Sequence, residues 1–136
     1  IGVAVGVEDG LVVPVIKFAD NESLHSINSL VRDYAMRAKS KKLRPDEIEG
    51  STFTISNLGM MGIDNFDAII NPPHGSILAV GKTQEVVCFD ENEKVIKKTI
   101  IQLTLSVDHR MIDGAIGAKF LNEIASFLEE PINLLA

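Results

Sequence analysis

Hydrophobic residues follow two different periods along the first third of the chain, and the change between them separates strands from a helix. Residues 1–7 and 11–16 are apolar and rich in β-branched side chains, and Asp9 and Gly10 lie between them. This pattern predicts two strands joined as a hairpin or a sharp reversal. Residues 23–42 carry apolar side chains at helical spacing, so the pattern predicts a helix that begins near three possible capping residues, Asp20, Asn21 and Ser23.

The rest of the chain returns to strand periodicity and closes with a second helix. Helical spacing resumes over residues 115–129, and Pro131 ends that helix. The predicted strands before it cover residues 52–56, 76–81, 85–89 and 95–107, with a turn at 90–92. Mixed strands with two substantial helices indicate one α/β or α+β layered domain.

Composition narrows the class of protein. The chain has 136 residues, of which 46% are hydrophobic and 24% charged, which is typical of one globular domain. No apolar run reaches the roughly 18 residues of a membrane span, and the formal net charge of −6 argues against nonspecific nucleic-acid binding. The single cysteine, Cys88, excludes an intrachain disulfide and is expected to be a small core residue.

Three histidines are the first candidates for chemistry. His25 lies among polar neighbours on the first predicted helix, and His74 follows two prolines in a loop, so both are expected at the surface. His109 differs, because by parity it continues the apolar face of residues 103–107 just beyond the strand's end. We expect a partly buried imidazole there. Histidine can act as a base near neutral pH, although the residues alone also fit a structural histidine.

Asp113 and Ser56 are the other two candidates, and each has a structural alternative. Asp113 lies four residues after His109 and could orient its ring, but it is also a good N-cap for the second helix. Ser56 ends a strand before a glycine-containing loop, where its hydroxyl could donate to an oxyanion or simply form a turn. Arg110 is expected in a structural ion pair, and no spacing resembles a metal site.

Four segments together resemble one family. Residues 108–115, DHRMIDGA, are similar to the His-Arg-x-x-Asp-Gly signature of the 2-oxo acid dehydrogenase acyltransferases, the E2 components. Three further segments match in the expected order: residues 52–59, TFTISNLG; 65–73, NFDAIINPP; and 1–5, IGVAV. The resemblance implies a coenzyme A-dependent acyltransferase fold, of which residues 1–136 would be the C-terminal part. Lipoyl and peripheral-subunit-binding domains of the family are absent from this chain.

The resemblance also implies roles for individual residues. His109 would take the proton from coenzyme A or dihydrolipoamide, Ser56 of a neighbouring subunit would stabilise the oxyanion, and Asp113 would support the site. Asn57 and Gly81 match positions near the coenzyme A site. The substrates would be coenzyme A and a lipoyl group carried on a domain outside this chain, and no metal is needed.

The family further implies an assembly. Its members form homotrimers that build larger cores and hold E1 and E3 components through upstream domains, in the bacterial cytoplasm or the mitochondrial matrix, without nucleic acid or membrane. The apolar residues 132–136 would be either a core contact or a contact between trimers. A chain that opens on a strand-like segment without methionine is expected to be a fragment. The cations between Arg32 and Arg44 suit either a helix C-terminus or the phosphates of coenzyme A.

Alternatives remain open at this point. Residues 60–63 and 68–73 are more similar to pyruvate-type, acetyl-transferring enzymes than to branched-chain or succinyl types. A chloramphenicol-acetyltransferase-like O-acetylating enzyme would carry a second histidine where Asp108 stands here. A non-catalytic core scaffold is a third possibility, against which the set of His109, Asp113 and Ser56 argues.

Overall fold

A computed structural model describes residues 1–132 and shows strands and two long helices in one layered unit. The strands are β1 (Gly2–Val3), β2 (Val5–Val7), β3 (Gly10–Val12), β4 (Thr54–Asn57), β5 (Ser76–Phe89) and β6 (Val95–Val107). The helices are α1 (Leu24–Lys39) and α2 (Gly114–Glu129). The predicted α/β class and both predicted helices are confirmed. Residues 133–136, and with them most of the apolar tail, lie outside the described residues.

The central sheet is mixed. Its strand order is β1-β4-β5-β6, with β1, β4 and β5 parallel and β6 antiparallel to β5. In the register of the sheet, Ser56 lies beside Ala79, and Ala79 lies beside Thr104. Strand β5 runs through the middle and is buried over its first four residues, as expected for a strand covered on both faces.

The predicted hairpin near the start of the chain is confirmed with one refinement. Strands β2 and β3 pair antiparallel, with Val7 opposite Gly10, so the turn residues are Glu8 and Asp9. The first apolar segment divides at Ala4, because β1 joins the central sheet while β2 joins the hairpin. One continuous apolar run therefore supplies strands to two sheets.

The prediction of two short strands over residues 76–81 and 85–89 is wrong. Strand β5 is continuous, and only its pairing with β6 shifts between Val80 and Thr83. A side chain at Gly81 would place a Cβ atom 1.8 Å from the carbonyl oxygen of Asp64. The glycine is therefore required by a backbone segment that crosses over the strand, and the bulge accommodates this crossing without ending the strand.

Each long helix starts at a side-chain cap. The Ser23 hydroxyl accepts a hydrogen bond from the Ser26 amide at 3.1 Å, and the Asp113 carboxylate accepts one from the Ile116 amide at 2.9 Å. Helix α2 packs on the sheet next to β6, where the rings of Phe53 and Phe120 meet edge to face at 5.7 Å. This packing fixes where the turn before α2 leaves the sheet.

The basic stretch after α1 is partly engaged in ion pairs. Arg37 bonds the buried carboxylate of Glu47 at 2.6 and 2.8 Å, and the bond from Arg37 lowers the Glu47 pKa to about 2. Arg44 also pairs with Glu47, and Lys41 pairs with Asp9. These contacts favour the structural interpretation for three of the cations, because their charges hold the helix end to the following loop.

Candidate functional site

Ser56 lies in β4, and its side chain lines a cavity on one face of the central sheet. The cavity has a volume of about 420 Å³, and its walls come from β4, β5, the β2–β3 hairpin and the loop before β5. The Ser56 side chain is half-buried, and its hydroxyl makes no hydrogen bond within residues 1–132. A hydroxyl in a largely apolar cavity with an uncommitted proton can donate to a bound acceptor.

The residues around Ser56 form a one-sided apolar wall. Phe66, Ile69 and Ile70 come from the loop before β5, and Leu11 and Val13 come from the β2–β3 hairpin segment. Ile69 is 92% exposed, so the loop leaves an apolar side chain uncovered at this end. The cavity is thus built on the chain but is not closed by residues 1–132.

Asn57 and Gly81, the two residues expected near coenzyme A, have structural roles in the chain itself. The side-chain oxygen of Asn57 accepts a hydrogen bond from the Gly59 amide at 2.9 Å and shapes the turn after β4. Asn57 lines a second cavity, on the α1 face of the sheet, and not the Ser56 cavity. Gly81 lies directly beneath the backbone of Asp64. Their proposed ligand contacts therefore stay predictions.

The expected partial burial of His109 is wrong. Strand β6 ends at Val107, and the chain turns at once, because the amides of Met111 and Ile112 both bond the Asp108 carbonyl at 2.9 Å. His109 stands on this turn with an exposed side chain that has no hydrogen bond or ion pair within the described part of the chain. Side chains alternate between the two faces of β6 only as far as Val107, its last paired residue. Extending this alternation to His109 therefore predicted the wrong burial for its side chain.

The turn that carries His109 is held by its neighbours in sequence. The Asp108 carboxylate accepts bonds from both the backbone amide and the guanidinium of Arg110. The guanidinium bond is the main cause that lowers the Asp108 pKa to about 2. The structural ion pair expected for Arg110 is thus present, with Asp108 as its partner. The Asp108 amide also donates to the Gly75 carbonyl at 2.8 Å, which fixes the turn to the start of β5.

Asp113 serves the helix and not the histidine in this chain. Its carboxylate caps α2, and no bond joins it to His109. The capping interpretation is confirmed, and the orienting role stays a prediction. Because the cap fixes the start of α2, it also fixes the point at which the His109 turn must end.

Ser56 and His109 lie in different parts of the molecule. Ser56 is level with Thr104 in β6 and two strands away from it, and Val107 is three residues further along β6. With about 4.8 Å between strands and about 3.4 Å per residue, Ser56 and Val107 are roughly 14 Å apart at their Cα atoms. His109 follows two residues later, on the turn whose Asp108 amide bonds the carbonyl of Gly75, four residues before Ala79 in the chain. One chain therefore does not bring the two groups into one site.

His74 is a residue that sequence reasoning placed wrongly. It is only 9% exposed, and both ring nitrogens are bonded, Nε2 to the Ser51 hydroxyl at 2.7 Å and Nδ1 to the Thr54 hydroxyl at 2.8 Å. The two preceding prolines indicated a surface loop, but this loop folds against the start of β4. Hydroxyl residues at positions 51 and 54 were the available signal, although only the fold brings them to the ring.

The part of the chain that the structure describes contains neither a candidate metal site nor a candidate membrane span. No group of three His, Cys, Asp or Glu side chains within it could hold a metal ion. None of its helices has the length and apolar character needed to cross a bilayer. Cys88, expected in the core, is instead half-exposed on the hairpin of β5 and β6.

Comparisons with known proteins agree on one family. A sequence model of the catalytic domain of the 2-oxoacid dehydrogenases acyltransferase family matches residues 1–136. A dihydrolipoyllysine-residue acetyltransferase component of the pyruvate dehydrogenase complex from Rhizobium meliloti is 42% identical over 99% of this chain. The match covers 30% of that relative, so the chain spans about a third of the relative's length.

Solved structures give the same result. The dihydrolipoamide acetyltransferase of Azotobacter vinelandii, studied for the catalytic roles of a serine, a histidine and an asparagine, is 37% identical with a TM-score of 0.93. The cubic core of a pyruvate dehydrogenase multienzyme complex is 36% identical, also with a TM-score of 0.93. In both cases 99% of this chain and 55% of the other chain are covered.

The spacing of site residues can be compared with the Azotobacter enzyme. Its histidine and asparagine are four residues apart, as are His109 and Asp113, and its serine precedes the histidine by 52 residues where Ser56 precedes His109 by 53. The fold, the full-length match to the family and the positions of these residues lead to one conclusion: the chain belongs to the 2-oxoacid dehydrogenase acyltransferases and matches their catalytic domain.

Proposed function

We propose that the protein containing this chain transfers an acetyl group between a dihydrolipoyl-lysine thioester and coenzyme A. The observation that carries the proposal is that Ser56, His109 and Asp113 stand at nearly the spacing of the serine, histidine and asparagine of the Azotobacter acetyltransferase. The free Ser56 hydroxyl and the exposed imidazole support it, because both groups can reach a substrate.

In the proposed reaction, His109 takes the proton from the attacking thiol. The thiolate sulfur forms a bond to the thioester carbonyl carbon, and the carbonyl electrons move to the oxygen, to which Ser56 of a neighbouring copy donates a hydrogen bond. The oxyanion then collapses, the bond to the original sulfur breaks, and that sulfur takes the proton from His109. A general base contributes about 10²–10⁴ in rate, and one oxyanion donor about 10²–10³.

The proposed reaction requires at least two neighbouring copies of the chain. The separation of Ser56 and His109 across the sheet supports a site that takes one group from each of two copies. We propose a homotrimer that builds a larger core, in keeping with the structural likeness to a cubic pyruvate dehydrogenase core. The E1 and E3 components would bind through domains outside this chain, in the bacterial cytoplasm or the mitochondrial matrix.

Residues 1–136 are proposed to be the C-terminal part of the catalytic domain. The two solved structures are covered only to 55% by this chain. An apolar cavity of about 590 Å³ lies between α1 and the sheet, with Ile1, Val31 and Met60 among its lining residues. A further part of the same domain would cover this surface, and the lipoyl and subunit-binding domains would lie beyond it.

Coenzyme A is the proposed acceptor, with Asn57 and Gly81 near its site. Asn57 is exposed, so its amide nitrogen can reach a ligand while its oxygen holds the turn. Arg32, Lys39 and Lys42 have no ion pair within residues 1–132, and they would be the cations left to attract the phosphates. The reaction as written uses no metal.

The first test is His109→Ala in the full-length protein. Transfer from acetyl-coenzyme A to dihydrolipoamide is expected to fall by about 10²–10⁴-fold, with the sedimentation profile of the core unchanged. His25→Ala is the matched control, because His25 is exposed on α1, and it should retain full turnover. Near-normal turnover in His109→Ala would contradict the base assignment. Succinyl and isobutyryl thioesters offered in parallel test the acetyl preference against the succinyl and branched-chain alternatives.

A further inference from the structure

The buried imidazole of His74 connects the loop before β5 to the strand that carries Ser56. The ring bonds Ser51 just before β4 and Thr54 at its first residue. Thr54 is 1% exposed, so its hydroxyl has no access to water as an alternative partner. A buried polar group that loses its partner is costly, and this cost holds the three side chains together.

The segment around His74 also forms the wall of the Ser56 cavity. The His74 amide donates to the Asn71 carbonyl at 3.0 Å, and Asn71 and Pro72 line the cavity together with Thr54 and Ser56. Thr54 and Ser56 are two residues apart in one strand and project to the same side of the sheet. The ring therefore fixes, through Thr54, the strand face on which Ser56 stands, and it fixes the facing wall through its own backbone.

The other end of this segment is anchored as well. The carbonyl of Gly75, the next residue, accepts the Asp108 amide at 2.8 Å. A Cβ atom at Gly75 would lie 3.5 Å from both Met111 and Ile112, so the turn after β6 packs closely behind the segment. The loop is thus held from both sides, and the imidazole can act as a fixed support for β4.

We propose that His74 is a positioning residue for acyl transfer, which sets the place of the Ser56 hydroxyl through hydrogen bonds to Ser51 and Thr54. The inference rests on the proposed function, in which Ser56 donates to the oxyanion. His74 itself touches no substrate. A donor displaced by a fraction of an ångström from the oxyanion stabilises the transition state less while substrate binding is little changed.

The test uses the full-length protein and four substitutions around the ring. His74→Leu removes both bonds, and Thr54→Val removes one hydroxyl with almost no change in shape. Both are expected to lower kcat about tenfold and to leave KM for coenzyme A within about twofold, as expected when an interaction made in the transition state is weakened. Thr54→Ser restores the hydroxyl and should restore kcat. His74→Asn, which keeps a polar atom near the Nδ1 position, should fall between.

A Ser56→Ala background separates positioning from plain stabilisation. If His74 acts through Ser56, then His74→Leu should cost no further kcat once the Ser56 hydroxyl is gone, because the two effects share one path. A tenfold loss that persists in that background overturns the inference, and so does normal kcat in Thr54→Val. Thr54→Val remains informative even if His74→Leu fails to fold.

Failure of this inference and failure of the proposed function give different experimental results. Should the parent protein transfer no acetyl group, the proposed function fails and this inference fails with it; should His109→Ala keep normal turnover, only the base assignment fails. Should His109→Ala lose activity while Thr54→Val and His74→Asn match the parent protein, the acyltransferase assignment stands and only the positioning role is lost. His25→Asn is the control for the chemical change, since that ring is exposed on α1.

Discussion

The surroundings of Ser56 and of His109 differ in nearly every respect. Ser56 sits within a strand of the central sheet, beside a buried threonine and under a loop that is braced by a buried histidine. His109 stands on an exposed turn whose support comes from Asp108 and Arg110, its direct neighbours. Several elements of the fold thus surround Ser56, whereas His109 is exposed on a turn.

The difference indicates whether the surroundings of each group come from its own chain or from a neighbouring copy. A base works best with a pKa near the working pH, which depends on burial and neighbouring groups. Ser56 already has its walls within the chain, whereas His109 has no bonded partner there. A second copy packed against the turn would supply the missing surroundings. We expect, therefore, that the histidine half of the site is completed by assembly and the serine half mainly by folding.

Mixed assemblies give the strongest test of this comparison. Co-expression of His109→Ala and Ser56→Ala copies produces cores in which some neighbouring pairs hold one intact serine and one intact histidine. If the two variants mix at random in equal amounts, and each site lies between adjacent copies of a closed ring, about a quarter of the sites are intact. Activity should rise from near zero in each homogeneous variant to about a quarter of the parent value.

The control for this experiment is a core assembled from doubly substituted and parent copies in the same ratio. If Ser56 and His109 act within one chain, that core keeps half of its sites, while the complementing mixture keeps none. Steady-state turnover per active core, with composition measured by mass spectrometry, distinguishes the two arrangements.

The next test concerns the local support of the His109 turn. Arg110→Gln removes the guanidinium that lowers the Asp108 pKa to about 2, so this pKa should rise towards its ordinary value of 3.8. Because the folded pKa is depressed, the stabilisation by the pair is complete above about pH 4 and is lost as the pH falls towards 2. Carboxyl NMR titration of a labelled chain measures the shift.

At neutral pH the same substitution should lower kcat by no more than about fivefold, because an ion pair whose guanidinium is almost fully exposed contributes little. Lys97→Gln, which breaks a distant exposed pair with Glu85 in the β5–β6 hairpin, is the matched control. A loss of several hundredfold in Arg110→Gln would show that Arg110 takes part in the reaction and is not only a structural partner of Asp108.

The smallest expected effect belongs to Asp113. Asp113→Ala removes the cap of α2 and should lower the free energy of unfolding by about 1 kcal/mol, measured by urea denaturation. Asp113→Asn keeps a capping oxygen and reproduces the asparagine at the corresponding spacing of the Azotobacter enzyme, so both stability and turnover should stay close to the parent. A large loss of turnover in Asp113→Asn at unchanged stability would instead support a charged role beside His109.

The sequence predicted the elements well because their signals are local. Ser23 caps the start of α1 and Asp113 caps the start of α2, two of the capping positions that the sequence indicated. Strand β6 spans Val95–Val107, as its alternation predicted. The two caps are hydrogen bonds between residues three positions apart, and the alternation of β6 can be recognised from neighbouring residues alone, although the strand is held by its pairing with β5.

The environments of the histidines were harder to predict because they depend on contacts between distant segments. The buried ring of His74 bonds hydroxyls 23 and 20 positions away in the chain, at residues 51 and 54. His109 is exposed because β6 ends two residues earlier and the backbone turns onto the Asp108 carbonyl. The candidates themselves could be found from the motif, but their burial required the fold.

Gly81 has a consequence for how mutational surveys of this chain should be interpreted. The Asp64 backbone leaves no volume for a Cβ atom there, so every replacement, alanine included, will score as damaging. Such intolerance is the usual mark by which surveys single out a ligand-contacting position. At Gly81 the same score would arise in a protein that never met coenzyme A, and only a direct binding measurement on a folded variant carries information about the ligand.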